Sequence, residues 1–529
     1  MVPYLFRLAA VCPGRQQGFR HAVVAHLVLL AAGVAWAYRY PQQGTSAIGY
    51  FLLTAGIVEG AVLLGWRLTQ LPKSQALEFL FVSPLRPWRL FVVETVIGLC
   101  RITLITLSGL PVLLVLSVAG ILDASDVGPF LFMPLTWAAV TGLGFIAWAY
   151  EPRAVRCWAE RGFLLLILIY LGVGVLAGEH LAAWIRHLPE PLGQGVLLGF
   201  ESFDRYNPFA VLRFWLEERS LAAWERVLGV EAAALIAAGL LLVRTAGRLR
   251  GHFDERHYQP AVDHRGRPRP SPGDRPLSWW AVRRVSEYSG RVNFWLAGGF
   301  GLLYAIYTVA GAHWPAWAGR RVLAVFDVAG GVPVWATALV VLSAVPAAFQ
   351  YGLWDSNPHE RCRRLELLLL TQLTGIDYWH AAAAAAWKRG RGYFGVALLL
   401  WLAAAVVGKI SFLQAVTAIA AGTVLWGLYF TLGFQAFTRG AQANLRGLSL
   451  TLGLPALAFV FHQIGWPFLA GFLPPGAVHH AATLSPDAAW IGAVGSALVA
   501  LWMARICLGR CDGELHRWYE KHHGKMVLE

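Results

Sequence analysis

The sequence predicts an all-α polytopic membrane protein with about 12 transmembrane helices, arranged as two parallel six-helix repeats. The first observation is composition: 57% of the 529 residues are hydrophobic and only 14% are charged, whereas a soluble domain carries about 25% charged residues. The second is the recurrence of apolar runs of about 20 residues, the length that crosses a ~30 Å hydrocarbon core as a helix. The third is a short polar segment that occurs once in each half of the chain.

The apolar runs define six candidate spans in each half. In the first half they are residues 21–38, 47–66, 91–118, 129–149, 162–178 and 227–245. In the second half they are residues 292–312, 330–350, 393–408, 412–434, 448–472 and 489–506. Three arginines precede the first run and no small-residue cleavage site follows it, so we expect an uncleaved first span.

A polar linker is expected to separate the two halves. It contains residues 265–273 (RGRPRPSPG), a string that cannot bury enough apolar surface to fold and is expected to be extended or disordered. The predicted organisation is therefore a first six-span half at 1–250, a Pro/Arg/Gly-rich cytoplasmic linker at 251–280, and a second six-span half with a basic C-terminal tail at 281–529.

The placement of Lys and Arg predicts the orientation of the spans. With the N-terminus in the cytoplasm, the cytoplasmic segments hold 34 of the 44 Lys and Arg residues, the opposite segments hold nine, and Arg101 lies within a span. Cytoplasmic loops typically carry such an excess. Both termini are therefore expected to be cytoplasmic, and the net charge of +14 is attributed to this asymmetry and not to binding of nucleic acid.

The repeated polar segment lies between the second and third spans of each half. Its copies are residues 77–85 (LEFLFVSPL) and 365–373 (LELLLLTQL), and each begins eleven positions after a tryptophan, Trp66 or Trp354. A proline turn, at Pro208 or Pro486, also comes before the last span of each half, and each half ends in a basic tail. The shared order and spacing predict a parallel internal repeat.

As a short amphipathic helix, the first copy would present an apolar face to the spans and a polar face to a soluble partner. The apolar face would contain Leu77, Leu80 and Phe81, and the polar face Lys73, Gln75 and Glu78. Pro84 would end the helix and set the turn into the third span. An interfacial helix that only caps the bundle is the alternative, but the occurrence of the segment in both halves favours docking.

These features resemble the ABC-2-type permeases, the transmembrane subunits of ABC transporters, with two six-span halves fused in one chain. The matching residues of the first copy are Gln75, Glu78, Ser83, Pro84, Leu85, Arg86 and Arg89. Those of the second copy are Glu360, Arg363, Leu365, Glu366, Leu368, Thr371 and Leu373. The second copy departs from the family pattern at Gln372, which stands where a proline is expected.

The resemblance implies that both segments are coupling helices that dock on a cytoplasmic ABC ATPase, present in two copies. It also implies export of an unidentified substrate across the plasma (inner) membrane. Because the chain lacks a Gly-x-x-x-x-Gly-Lys-Ser/Thr phosphate loop, ATP and Mg are expected on the partner. This chain is then a transport subunit, binds no cofactor or metal itself, and is not an enzyme.

Two charged residues in the third span are candidates for the transport path. Glu94 and Arg101 are seven positions apart and so share a helical face, and charges at membrane depth are costly. Alternatively, both side chains extend to water or pair structurally. Glu59 and Glu231, in the second and sixth spans, are weaker candidates of the same kind.

Other functional classes find less support. Six cysteines occur without a CxxC pair, so Cys507 and Cys511 predict reduced thiols and not a zinc site. No pair of catalytic polar residues of the kind used by intramembrane enzymes is evident. The remaining alternative is a non-transporting scaffold or anchor of a surface or motility assembly with a permease-like fold. The spans do not identify the substrate.

Overall fold

The computed structural model is helical throughout the residues it describes, with no strand among them. These residues are 13–41, 44–66, 68, 87–151, 178–190, 192–257, 275–287, 291–315, 319–328, 330–350, 373–439, 443–483 and 486–526. The chain divides into two compact units, Met1–Arg265 and Gly266–Glu529.

The first unit contains nine described α-helices. They are α1 (Pro13–Arg39), α2 (Gly44–Glu59), α3 (Pro87–Ser108), α4 (Leu110–Val118), α5 (Val127–Ala149), α6 (Gly178–Ile185), α7 (Leu192–Arg205), α8 (Pro208–Glu218) and α9 (Leu221–His257). A π-helical turn, Gly60–Trp66, continues α2, and a 3₁₀ turn, Ala124–Asp126, precedes α5.

The second unit contains eleven described α-helices. They are α10 (Pro276–Glu287), α11 (Arg291–Ala310), α12 (Arg320–Val328), α13 (Gly331–Ala348), α14 (Gly375–Val406), α15 (Phe412–Arg439), α16 (Ala443–Leu448), α17 (Leu454–Ile464), α18 (Pro467–Phe472), α19 (Pro474–Thr483) and α20 (Pro486–Met526). A π-helical turn, Ser449–Gly453, joins α16 to α17.

Nine stretches of helix in the described part of the chain are long and apolar enough to cross a membrane. They coincide with nine of the predicted spans and confirm a multi-pass, all-helical membrane protein. Predicted span 162–178 lies almost wholly outside the described residues. The other two, 292–312 and 393–408, fall on helices α11 and α14, but the apolar part of α11 is only Ala297–Ala310. Twelve spans therefore stay a prediction.

Small residues allow the second and fourth spans of the first unit to pack with their backbones in contact. A Cβ atom added at Gly60 would lie 2.1 Å from the Ala138 carbonyl oxygen, and one at Gly56 would lie 2.6 Å from that of Pro134. From the opposite helix, a Cβ at Gly142 would lie 2.8 Å from the Gly60 oxygen. Such close approach is how helices gain packing energy in lipid, where burial of apolar surface between helices brings little.

The second unit shows the same kind of contact around α13. A Cβ atom at Gly390 of α14 would lie 2.0 Å from the Ser343 carbonyl oxygen. One at Gly433 of α15 would lie 2.5 Å and 2.6 Å from the carbonyl oxygens of Ala347 and Ala348. Helix α13 is therefore held between α14 and α15 at positions where only glycine fits.

The last helix of each unit is much longer than a membrane span. Helix α9 has 37 residues and α20 has 41, which correspond to about 55 Å and 61 Å, against a hydrocarbon core of about 30 Å. In the second unit, the far part of α20 packs on α10 and on the start of α14. Cys507 and Cys511 are buried in this cluster.

The two predicted proline turns, at Pro208 and Pro486, both precede the last span but begin different helices. Pro208 begins the short helix α8, and the last span starts only at Leu221, whereas Pro486 begins the last helix itself. Pro474 begins α19, the short helix before α20. In each unit, therefore, a short helix that starts with proline precedes the long last helix.

The contact between α13 and α15 predicts opposite effects of one substitution at two glycines of α15. Gly433→Ala forces a methyl group against two backbone oxygens and should destabilise the protein by about 1–3 kcal/mol. Gly427→Ala, where an added Cβ meets nothing within 4 Å, should be neutral or stabilise by up to ~1 kcal/mol, because alanine favours a helix. Thermal unfolding in detergent measures both. Equal effects of the two substitutions would contradict the close contact.

Candidate functional site

The predicted docking segments lie outside the described residues. These are residues 69–86 and 351–372, and they contain every predicted docking side chain: Gln75, Glu78, Ser83, Pro84, Arg86, Glu360, Arg363, Glu366 and Thr371. Their helical form and their docking role stay predictions. The residues that flank them are described, and they show where each segment leaves and re-enters its bundle.

In the first unit, a hydrogen bond joins the end of the second span to the fourth span, and in the second unit one joins α13 to α15, the predicted second and fourth spans. In the first unit, the Tyr150 hydroxyl, just after α5, donates to the Leu68 carbonyl oxygen at 2.7 Å. In the second unit, the Gln350 side-chain amide donates to the carbonyl oxygens of Ala347 (2.6 Å) and Phe430 (3.2 Å). Each predicted docking segment thus starts from a point attached to the fourth span.

The second docking segment ends at a well-formed helix start. Thr374 caps α14 with a capping box in which its backbone N–H and its hydroxyl both donate to Asp377 Oδ2, at 2.9 Å and 2.8 Å. These hydrogen bonds hold the pKa of Asp377 below its ordinary value, so the cap stays ionised at neutral pH.

The end of the fourth span is also joined to the long last helix of its own unit. In the first unit, the buried Glu151 accepts hydrogen bonds from Arg244 (2.5 Å and 3.0 Å) and Arg248 (2.8 Å). In the second unit, Glu514 of α20 accepts from Thr438 (2.7 Å) and Arg439 (3.0 Å) of α15. The acid belongs to the fourth span in one unit and to the last helix in the other.

Glu94 and Arg101 lie on helix α3, as predicted. Glu94 is buried and Arg101 is partly buried. Seven residues of helix separate them by about 10.5 Å along the axis, so both occupy the same face of the third span at different depths. Their role in a transport path stays a prediction.

A buried histidine–glutamate pair that the sequence did not predict lies in the first unit. His26 Nδ1 of α1 is 2.8 Å from Glu59 Oε1 of α2, and the two residues are only 1% and 9% exposed. The other polar atoms of the pair, His26 Nε2 and Glu59 Oε2, find no partner among the described residues. Ionisable side chains buried within membrane spans are costly and often mark functional sites.

Two stretches of helix close to this pair, one after α2 and one between α3 and α4, depart from regular α geometry. The π-helical turn Gly60–Trp66 starts directly after Glu59, and such turns are frequent at functional sites. The third span is interrupted at Gly109, whose N–H donates to the Thr106 carbonyl oxygen at 3.1 Å. Helix α4 then starts with Pro111 in its first turn. A Cβ at Gly109 would lie 3.2 Å from His26 Nε2, so the unpaired nitrogen faces this break.

Two features of the sequence point toward this site, but neither identifies it without the other. Glu59 was considered as an acid within a span, and Gly109 with Pro111 marks a helix break. His26 carries no local signal of its own. The pairing across 33 positions depends on which helices are neighbours, and this neighbourhood is not encoded locally. Glu231, the other acid considered, accepts a hydrogen bond from Trp137 Nε1 at 3.0 Å.

Helix α8 contributes large aromatic side chains to the core of the first unit. Trp215 and Phe209 of α8 are 1% and 0% exposed and belong to the core of the first unit. Trp215 Nε1 donates to Asp126 at 3.0 Å, and Arg219 also donates to Asp126, at 3.1 Å. Helix α8 is therefore a fixed part of the bundle next to the start of α5.

Three imidazole rings cluster in the second unit. The ring centroids of His462, His479 and His480 lie 5.4–5.6 Å apart, and His480 is buried with no partner for either ring nitrogen among the described residues. Burial and the neighbouring imidazoles lower the pKa of His479 and of His480 to about 4. No group of three His, Cys, Asp or Glu side chains in the described chain is placed to hold a metal ion.

No family model, curated protein or solved structure matches this chain.

The His26–Glu59 pair predicts a strongly non-additive mutational cycle. His26→Leu or Glu59→Leu alone leaves a buried polar partner unpaired and should cost about 3–5 kcal/mol. The double substitution removes both groups and should lie much closer to the native protein. The apparent melting temperatures in detergent of the three variants measure the coupling. Additive effects would show that the pair does not form.

The histidine cluster predicts a loss of stability in mild acid. Because the folded pKa of about 4 for His480 lies below its value of ~6.5 in an unfolded chain, the unfolded state binds the proton first. Stability should therefore fall as the pH drops from ~6.5 to ~4, by on the order of 1–3 kcal/mol. His480→Phe should reduce this dependence to the part that His479 contributes, because the pKa of His479 is also lowered to about 4. His516→Gln, at an exposed histidine, should leave it unchanged. An identical pH profile for His480→Phe would contradict the prediction.

Proposed function

We propose that this chain is the membrane-spanning permease subunit of an ABC-2-type exporter, in which two six-span units are fused. It moves an unidentified substrate with energy from ATP that a separate cytoplasmic ATPase hydrolyses. One observation carries the proposal. In each unit, a segment with the repeated Leu-Glu pattern leaves the second span at a point bonded to the fourth span and leads into the third.

Contacts inside the two units support the repeat. Gly142 packs against the Gly60 oxygen in one unit, and Gly433 packs against the Ala348 oxygen in the other. Gly142 and Gly433 are 291 positions apart, and Gly60 and Ala348 are 288 apart, as are the first residues of the two polar segments. The short helices α8 and α19, each followed by a long last helix, support the same correspondence.

The proposed coupling path runs through the fourth span of each unit. In this proposal, movement of the docking segment is transmitted to the second span, and the end of the second span is hydrogen-bonded to the fourth span. The fourth span is joined in turn to the last helix by Glu151 with its two arginines, or by Arg439 with Glu514. Charged hydrogen bonds of this kind are stronger than neutral ones and suit a joint that transmits movement.

We further propose that both termini and both docking segments face the cytoplasm at the plasma (inner) membrane. The excess of Lys and Arg supports this orientation. ATP and Mg would then bind to the partner, two copies of which meet the two docking segments.

The His26–Glu59 pair is a second candidate, beside Glu94 and Arg101, for a polar group on the transport path. A stable double Leu variant that loses transport or ATPase stimulation supports this role. A double variant that keeps full activity assigns the pair to structure alone.

The proposal predicts that Glu78→Arg combined with Glu366→Arg uncouples the partner. Reversed charge on both docking surfaces should abolish stimulation of the ATPase and reduce co-purification of the nucleotide-binding subunit by at least about tenfold, a loss of ~1.4 kcal/mol. Glu217→Arg, at an exposed side chain of α8, is the control and should leave both unchanged.

Because Gln372 replaces the proline in the second copy, Glu366→Arg alone should reduce ATPase stimulation less than Glu78→Arg alone. An unchanged complex and an unchanged ATPase rate in the double variant would reject docking through these segments. If the native protein co-purifies with other partners but with no ATPase subunit, the alternative function, a scaffold or anchor of a surface or motility assembly, would be favoured.

A further inference from the structure

The second unit contains a cavity whose lining changes from polar to apolar along its length. Its volume is about 470 Å³, within the range of small-molecule sites. Three helices line it. The lining residues are Arg275, Ser278, His380, Ala383, Ala384, Trp387, Phe394, Thr423 and Trp426.

The charged side chain and the imidazole lie at one end of the cavity, whereas Thr423 on α15 adds a hydroxyl that already donates to the Ala420 carbonyl oxygen. Arg275 directly precedes α10, Ser278 lies on α10, and His380 lies near the start of α14. Farther along α14 come Ala383, Ala384, Trp387 and finally Phe394. From His380 to Phe394 the helix advances about 21 Å, so His380 lies outside the predicted span 393–408 and Phe394 lies at its start.

The apolar end is built from aromatic rings. The ring centroid of Trp387 lies 5.6 Å from that of Trp426, with the two ring planes at right angles, and 6.0 Å from that of Phe394. The Trp426 indole N–H is buried and has no acceptor among the described residues. An unpaired buried donor is costly, so an acceptor supplied by a ligand would remove that cost.

The charges at the polar end favour an anion. Arg275 contributes a permanent positive charge, and the His380 imidazole and the Ser278 hydroxyl can both donate hydrogen bonds. The nearby Asp377 carboxylate opposes an anion, but its Oδ2 already accepts two hydrogen bonds from Thr374. The attraction for an anion therefore depends mainly on Arg275.

We propose that this cavity binds an amphiphile with an anionic phosphate headgroup, namely a phospholipid of the surrounding membrane. The phosphate lies at Arg275 and His380, an ester carbonyl accepts the Trp426 N–H, and an acyl chain follows Ala384, Trp387 and Phe394. Neither the presence of an ATPase nor transport is required for this binding, so the proposal is independent of the proposed function.

Native mass spectrometry of the full chain in detergent tests the proposal. The probes are phosphatidylglycerol and phosphatidylcholine with identical acyl chains. The native protein should bind one phosphatidylglycerol at least about tenfold more tightly than phosphatidylcholine. Arg275→Gln should abolish this preference, whereas Arg321→Gln, which removes an exposed arginine of α12, should preserve it.

Two further variants test the apolar end. Ala384→Trp should fill the cavity and weaken binding of both lipids at least about tenfold. Gly395→Trp, on the same helix where an added Cβ meets nothing within 4 Å, is the matched control and should bind as the native chain does. Trp426→Phe keeps an aromatic ring but removes the N–H donor, and should weaken binding about threefold.

Three outcomes would overturn the proposal. The first is unchanged binding in Ala384→Trp, which would assign the lipid to the general belt around the helices. The second is an unchanged preference for phosphatidylglycerol in Arg275→Gln. The third is displacement of the lipid by glycerol 3-phosphate at equal concentration, which would show a site for a soluble phosphate that makes no use of the apolar end.

Discussion

The close contact between the second and fourth spans is the constraint on which the structure of each unit depends. In lipid, helices gain little from burying apolar side chains against one another, so they associate where small residues let their backbones meet. Gly60 against Ala138, and Gly433 against Ala347, are such places. The polar links at the end of the second span, Tyr150 to Leu68 and Gln350 to Phe430, are possible only because the same two spans stay side by side.

The proposed coupling path also depends on this contact. The residues at the end of the fourth span bond to the second span on one side and to the long last helix on the other, through Glu151 in the first unit and Arg439 in the second. The interior of the first unit is less regular. There, His26 and Glu59 lie between a π-helical turn and the break at Gly109. A rigid end joined to an irregular polar interior suits the proposed role, in which movement of the docking segments reaches a site within the membrane.

Composition and hydropathy were sufficient to predict the fold class and nine of the spans, because a helix that crosses lipid must be long and apolar along its whole length. Local pattern was less informative about pairing. The prolines 208 and 486 were matched by their position before the last span, although Pro208 begins a separate helix. His26 was not singled out, because its partner is 33 positions away and the contact follows from packing. The cavity beside Trp426 likewise depends on three helices that no single stretch of sequence brings together.

The central claim is that the two Leu-Glu segments, 77–85 and 365–373, are surfaces for a soluble ATPase. Site-specific photocrosslinking in the native membrane tests this most directly, with a crosslinker placed at Gln75 and, in a separate variant, at Arg363. We predict that both positions crosslink to a nucleotide-binding subunit, more weakly at Arg363, and that a crosslinker at the exposed Leu221 of α9 does not. Crosslinks from neither segment to such a subunit would contradict the account.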